Sequence, residues 1–149
     1  MYYLIRESLT PCAPEEIRSG GEQFVAVLTG EEWKTRRDSF DMIIDMDMET
    51  ANPRETKAVV NLDSLTGTFS FPDRQQISGP RHNFSFALDE RGIIFVDDTG
   101  YAERTILEIS RTKKWRLPSL ERFLYDLLEV SIRQDLSLLE GTEHRLNII

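Results

Sequence analysis

Four carboxylates crowd one short stretch of this sequence: Asp41, Asp45, Asp47 and Glu49. On a helix, Asp41 and Asp45 stand one turn apart on the same face, where like charges repel by about 0.2–0.5 kcal/mol unless a cation lies between them. Hard cations such as magnesium take oxygen ligands and keep several of their waters, so one or two carboxylates suffice to hold one. The run Asp45-Met46-Asp47-Met48-Glu49-Thr50 is not an EF-hand loop, because Thr50 stands where such a loop needs glycine. The plainer reading of these charges is a solvated acidic helix face.

Other chemistry has less to rest on. His82 and His144 are the only histidines, and neither sits in a nucleophile motif. Gly20-Gly21 and Gly79 stand alone, without the spacing that cradles a phosphate. Asp97-Asp98 falls between an apolar run and a helical one, where a carboxylate caps a helix start. Arg111, Lys113, Lys114, Trp115 and Arg116 form the one basic cluster; positive charge there offsets the C-terminal end of a helix dipole, and Trp115 can cover a sheet. The single cysteine, Cys12, excludes an internal disulfide and a cysteine-rich zinc site, and it suggests a reducing compartment. Nothing in the sequence supports an enzyme.

These residues must be positioned by a domain of ordinary size. With 149 residues, 40% of them hydrophobic, the chain can bury a real core. The net charge of −8 argues against sequence-independent nucleic-acid binding, which relies on basic patches to displace counterions. The first residues, MYYLIRESL, do not read as a signal peptide, and no apolar run approaches the roughly 20 residues that span a bilayer.

Apolar patterning predicts strands at Tyr2–Ile5, Phe24–Leu28, Ala58–Leu62, Leu65–Phe71, Phe84–Leu88 and Ile93–Val96. Thr29 and Glu32 have capping-box spacing, and the helix they start carries Trp33, Phe40, Ile43 and Ile44 on one side to about Met48. Asp63-Ser64 and Asp89-Glu90-Arg91-Gly92 read as hairpin turns, and Asp98 or Thr99 can cap a helix bearing Ile106, Leu107 and Ile109. The expected fold is a layered α/β domain, 1–116, with a mixed, largely antiparallel sheet of about six strands flanked by helices.

A long amphipathic helical region, 117–149, follows. Pro118 suits a first helical turn. Leu120, Leu124, Leu128, Ile132, Leu136 and Leu139 recur at helical steps, with Phe123, Leu127 and Val130 in a second row beside them. About 25 helical residues would measure roughly 40 Å, more than the preceding domain can cover. The outer stripe is therefore expected to pack on something beyond this domain, and the chain reads as stopping inside an element unless Gly141 ends the helix first.

At NFSFALDERGIIFVDD (83–98) and at 117–140, which contains PSLERFLYDLLE, the sequence resembles the CorA family of magnesium transporters, in a branch found in Gram-positive bacteria. The likeness extends more loosely over EEWKTRRDSFDM and KAVVNLDSLTGTFSFPD. It implies an N-terminal domain on the cytoplasmic face of the membrane. Helices would lead from it to a stalk and two transmembrane helices, in a homopentamer that conducts divalent cations. The Gly-Met-Asn pore signature and both membrane helices are absent from this sequence, so no conduction residue carries over. The family senses magnesium through acidic residues of this domain facing a neighbouring subunit; by rough register these correspond to Asp45, Asp47 and Glu49. The other reading is a freestanding homo-oligomeric interaction module without a transport role.

Overall fold

The computed structural model describes residues 1–19, 21–40, 57–60, 64–71 and 82–133. Within them lie strands β1 (Tyr2–Ile5), β2 (Leu9–Pro11), β3 (Phe24–Leu28), β4 (Lys57–Val60), β5 (Leu65–Phe71), β6 (His82–Asp89) and β7 (Gly92–Val96). The helices are α1 (Glu16–Ser19), α2 (Gly30–Arg36) and α3 (Tyr101–Thr112), and a 3-10 turn, Arg37–Phe40, continues α2. A fourth helix, α4, runs through 120–133, where the described residues end.

The strands form one seven-stranded sheet in the order β2-β1-β3-β7-β6-β5-β4. Every neighbouring pair is antiparallel except β3 and β7, which run parallel with Phe24 opposite Gly92 and Leu28 opposite Val96. The mixed, largely antiparallel α/β sheet expected from the sequence is thus present, with β2 added at one edge. That strand is short and ends at Pro11, features that blunt a sheet edge against further pairing.

Period-two alternation divides the side chains between two cores. Tyr3, Ile5, Val25, Val27, Phe84, Phe86, Ile93 and Phe95 face α3 and α4. Leu4, Phe24, Ala26, Leu28, Ala87, Ile94 and Val96 face Trp33 of α2, with Ile17 and Phe40 packed alongside. Covered on both faces, β3 and β7 read as unbroken apolar runs, FVAVL and GIIFV, as central strands of layered folds do. Coverage also explains why β6 departs from a simple half-buried pattern: Ser85 and Ala87, on the face opposite Phe84 and Phe86, are buried too.

Local chemistry sets the helix starts. Thr29 accepts the Glu32 N–H while the Glu32 carboxylate accepts the Thr29 N–H, both at 3.2 Å, a complete capping box. The α-helix it starts ends at Arg36, and the chain tightens into the 3-10 turn that lays Phe40 on Phe24 and Trp33, with ring centroids 6.0 and 6.3 Å apart. Continuation of that helix past Phe40, the four acidic positions, the loop 48–56, the turn at Asp63, the connection 72–80 and everything after 133 lie outside the described residues.

Ahead of α3, Gly100 occupies the N-cap with φ +81°, a conformation that favours glycine. Thr99, one of the two expected caps, accepts the Tyr101 N–H through its hydroxyl at 3.3 Å. Asp97 shares the capping: its Oδ2 accepts the Ala102 N–H at 2.7 Å and its Oδ1 the Thr99 N–H at 2.8 Å. α3 then turns Ala102, Ile106 and Ile109 into the core, and Leu107 is only half-buried.

Candidate functional site

α4 is the element whose surface is out of balance. Ser119 opens it, its hydroxyl accepting the Arg122 N–H at 3.0 Å, so Pro118 sits just before the helix. The inward row is Leu120, Phe123, Leu127 and Val130, each at most 4% exposed. Each contributes about 1.5–3 kcal/mol by leaving water. Leu124 lies at the margin, half-buried against the same core. Beyond it, Tyr125, Leu128 and Ile132 stand 61%, 48% and 57% exposed at steps of three and four, a continuous apolar row on the outer face. Leu117, just ahead of the helix, is exposed as well.

Charged groups frame this row. The Arg122 guanidinium lies 4.9 Å over the Tyr125 ring, a cation–π contact that leaves the outer face of the helix amphipathic. Arg133 makes a two-pronged bond to Glu129 at 2.8 and 2.9 Å, and Lys113 approaches the same carboxylate at 3.6 Å. The hydrogen bond from Arg133 holds the Glu129 carboxyl below its usual range. An apolar row rimmed by such charges has the composition of a contact surface.

Two polar bonds seat α4 on the domain, and a third holds the segment just ahead of it. The Trp115 indole N–H donates to Asp126 Oδ2 at 2.6 Å, with Asp126 buried at 2% exposure and Arg122 Nε 3.7 Å from the same oxygen. The Trp115 backbone N–H donates to the Glu7 carbonyl at 2.6 Å, and the Leu120 N–H donates to Gln23 Oε1 at 2.9 Å. Trp115 does cover the sheet, as its place after α3 suggested, and its ring belongs to the core. Asp126 carried a signal in the sequence: a carboxylate among Phe123, Leu127 and Val130 on an inward stripe requires a buried donor. Gln23 carried none.

A concavity of ≈ 1030 Å³ opens on the opposite face of the sheet. Tyr2, Ile17, Phe24 and Phe40 give it apolar walls, and Arg36, Asp38, Glu90 and Arg91 lie around it. Arg36 donates to the Tyr2 hydroxyl at 2.9 Å and overlies its ring at 5.8 Å. Arg91 is held by Asp89. The volume suits a small molecule.

The other candidates resolve individually. Asp97 is occupied by capping, and Asp98 Oδ1 accepts the Gly30 N–H at 3.0 Å, tying the two helix starts together. The Cys12 thiol is pushed up by burial and by the charge of Glu16, which keeps it protonated and a poor nucleophile. Asp45, Asp47 and Glu49 lie outside the described residues, as does His144, and His82 begins β6. Among the described residues no group of three or more His, Cys, Asp or Glu converges to hold a metal ion, and no helix is long and apolar enough to cross a membrane.

No family model matches the chain, and no curated protein matches it in sequence. Among solved structures, that of the full-length CmaX protein is similar, with a TM-score of 0.70 at 10% sequence identity over 99% of this chain and 49% of that one. The likeness concerns the fold, and this chain spans about half the length of that protein.

Proposed function

We propose that this chain is the cytoplasmic, cation-sensing domain of a CorA-like magnesium (divalent-cation) transporter and works as one subunit of a homopentamer. The observation that carries the reading is the exposed row Tyr125, Leu128 and Ile132 on a helix otherwise seated in the core. In such a transporter, later stalk helices of the same chain cover that row. The segments at 83–98 and 117–140 that resemble the family include β6, β7 and the start of α4, the elements that build and seat this surface.

In this reading Asp45, Asp47 and Glu49 face a neighbouring subunit, and magnesium between them offsets their mutual repulsion and favours the closed assembly. When the cation leaves, repulsion shifts the population toward the open one. A differential affinity of a few kcal/mol, summed over the subunits, is enough for such a shift.

The reading frame beyond Ile149 tests the proposal. Two apolar spans of about 20 residues, with Gly-Met-Asn at the end of the first, are the expected result. A frame that closes at Ile149, with a tight, magnesium-independent oligomer in sizing chromatography, would instead support the freestanding interaction module.

A further inference from the structure

Gln23 lies just before β3, and its side chain bridges two elements far from it in sequence. Its Oε1 accepts the Leu120 N–H at 2.9 Å, in the first turn of α4. Its Nε2 donates to the Glu90 carbonyl at 3.0 Å, in the turn between β6 and β7. The sequence separations are 97 and 67 residues, so neither bond follows from local geometry. The two bonds fix the amide's orientation, because only its oxygen can accept from an N–H and only its nitrogen can donate to a carbonyl. Glu90, Arg91 and Gln23 itself line the concavity on the opposite face of the sheet.

We infer that Gln23 is a coupling residue: it links the seat of α4, the helix with the open outer face, to the β6–β7 turn at the mouth of the concavity. The link runs through one side chain, bonded at both ends. A shift of the Leu120 N–H that the amide follows changes the geometry of its bond to the Glu90 carbonyl. A change in the seating of α4 when its outer face is covered is thereby passed to the turn that lines the concavity. By linkage, filling the concavity reaches α4 to the same degree. Backbone bonds keep the middle of the bridge stiff: the Ile5 N–H donates to the Gln23 carbonyl at 2.9 Å, and the Phe24 N–H to the Arg91 carbonyl at 3.2 Å. This inference does not depend on the transporter reading.

A double-mutant cycle in the full chain, read by amide hydrogen exchange, tests it. Ser119→Ala removes the hydroxyl that caps α4 by accepting the Arg122 N–H. It should speed exchange at Arg91 and Gly92 by roughly three- to tenfold, the range that one hydrogen bond spans. In the Gln23→Ala background, Ser119→Ala should add nothing at those amides. Gln23→Glu, which keeps an acceptor for Leu120 but loses the donor to Glu90, should leave the start of α4 protected and abolish the effect on the turn. It also keeps the test decisive if Gln23→Ala does not fold. The inference is overturned if Ser119→Ala leaves the turn unchanged in the native chain. It is equally overturned if the turn responds to the same extent when the Gln23 amide is gone.

Discussion

Gly92 shows how closely single residues are fitted. A Cβ there would lie 2.5 Å from the Phe24 carbonyl oxygen and 2.6 Å from its ring, at the first rung of the parallel pair. Gly92→Ala should therefore destabilise the fold by about 1–3 kcal/mol or more in urea unfolding, as overpacking does. Asp126→Ala leaves the Trp115 indole N–H buried without an acceptor and should cost about 1–3 kcal/mol, whereas Asp126→Asn, which retains an oxygen, should cost less. The depressed carboxyls give a pH signature. Arg6 holds Glu22 low and Arg133 holds Glu129 low, in each case chiefly through a hydrogen bond. Their contribution to stability is full above the ordinary carboxylate range and is lost as pH falls through the lowered values. Both sites are exposed, so carboxyl-detected NMR titration should show the depression shrinking at high salt. At this scale the sequence was readable wherever chemistry is local. The Thr29–Glu32 capping box and the capping of α3 by the residues just ahead of it follow from spacing, while the reach of Asp98 to the Gly30 N–H does not. The Gln23 bridge does not, because its partners come together only through the fold.

For the elements, the decisive question was which row of α4 turns inward. Both rows have helical spacing, and sequence periodicity alone cannot rank them. The aromatic bulk of Phe123, docked edge-on to Phe95 with centroids 6.4 Å apart, makes its row the buried one. Leu127→Ala should thus cost about 2–5 kcal/mol in chemical denaturation, the range for emptying a core site. Leu128→Lys and Ile132→Lys, on the open row, should stay within about 0.5 kcal/mol of the parent domain. The same pair of substitutions should abolish any assembly that buries the outer face, which sedimentation of the full-length protein would report. β2 escaped sequence reading for an equally physical cause: Leu9-Thr10-Pro11 is too short for periodicity, and its pairing with β1 is decided by the return of the chain. The 3-10 turn after α2 reflects the demand that Phe40 reach Phe24, a tertiary contact that overrides local helix propensity.

Among the described residues, the central strands are covered on both faces and α4 keeps an exposed apolar row. The layered α/β class and the mixed, largely antiparallel sheet could be anticipated from hydrophobic patterning, because central strands covered on both faces must be apolar throughout. The strand order, with β3 beside β7, is set by long-range pairing that leaves no pattern in the sequence. The acidic positions Asp45, Asp47 and Glu49 were legible as charge, but the role proposed for them depends on a neighbour, and an intersubunit arrangement leaves no period in a single chain. Magnesium flux joins these threads most directly. Reconstituted full-length protein should admit magnesium into vesicles carrying an internal magnesium reporter, and internal magnesium should slow entry. The Asp45→Asn, Asp47→Asn, Glu49→Gln combination should relieve that slowing without abolishing entry. Protein that assembles in the vesicles and carries no divalent cation under any internal magnesium level would contradict the transporter assignment.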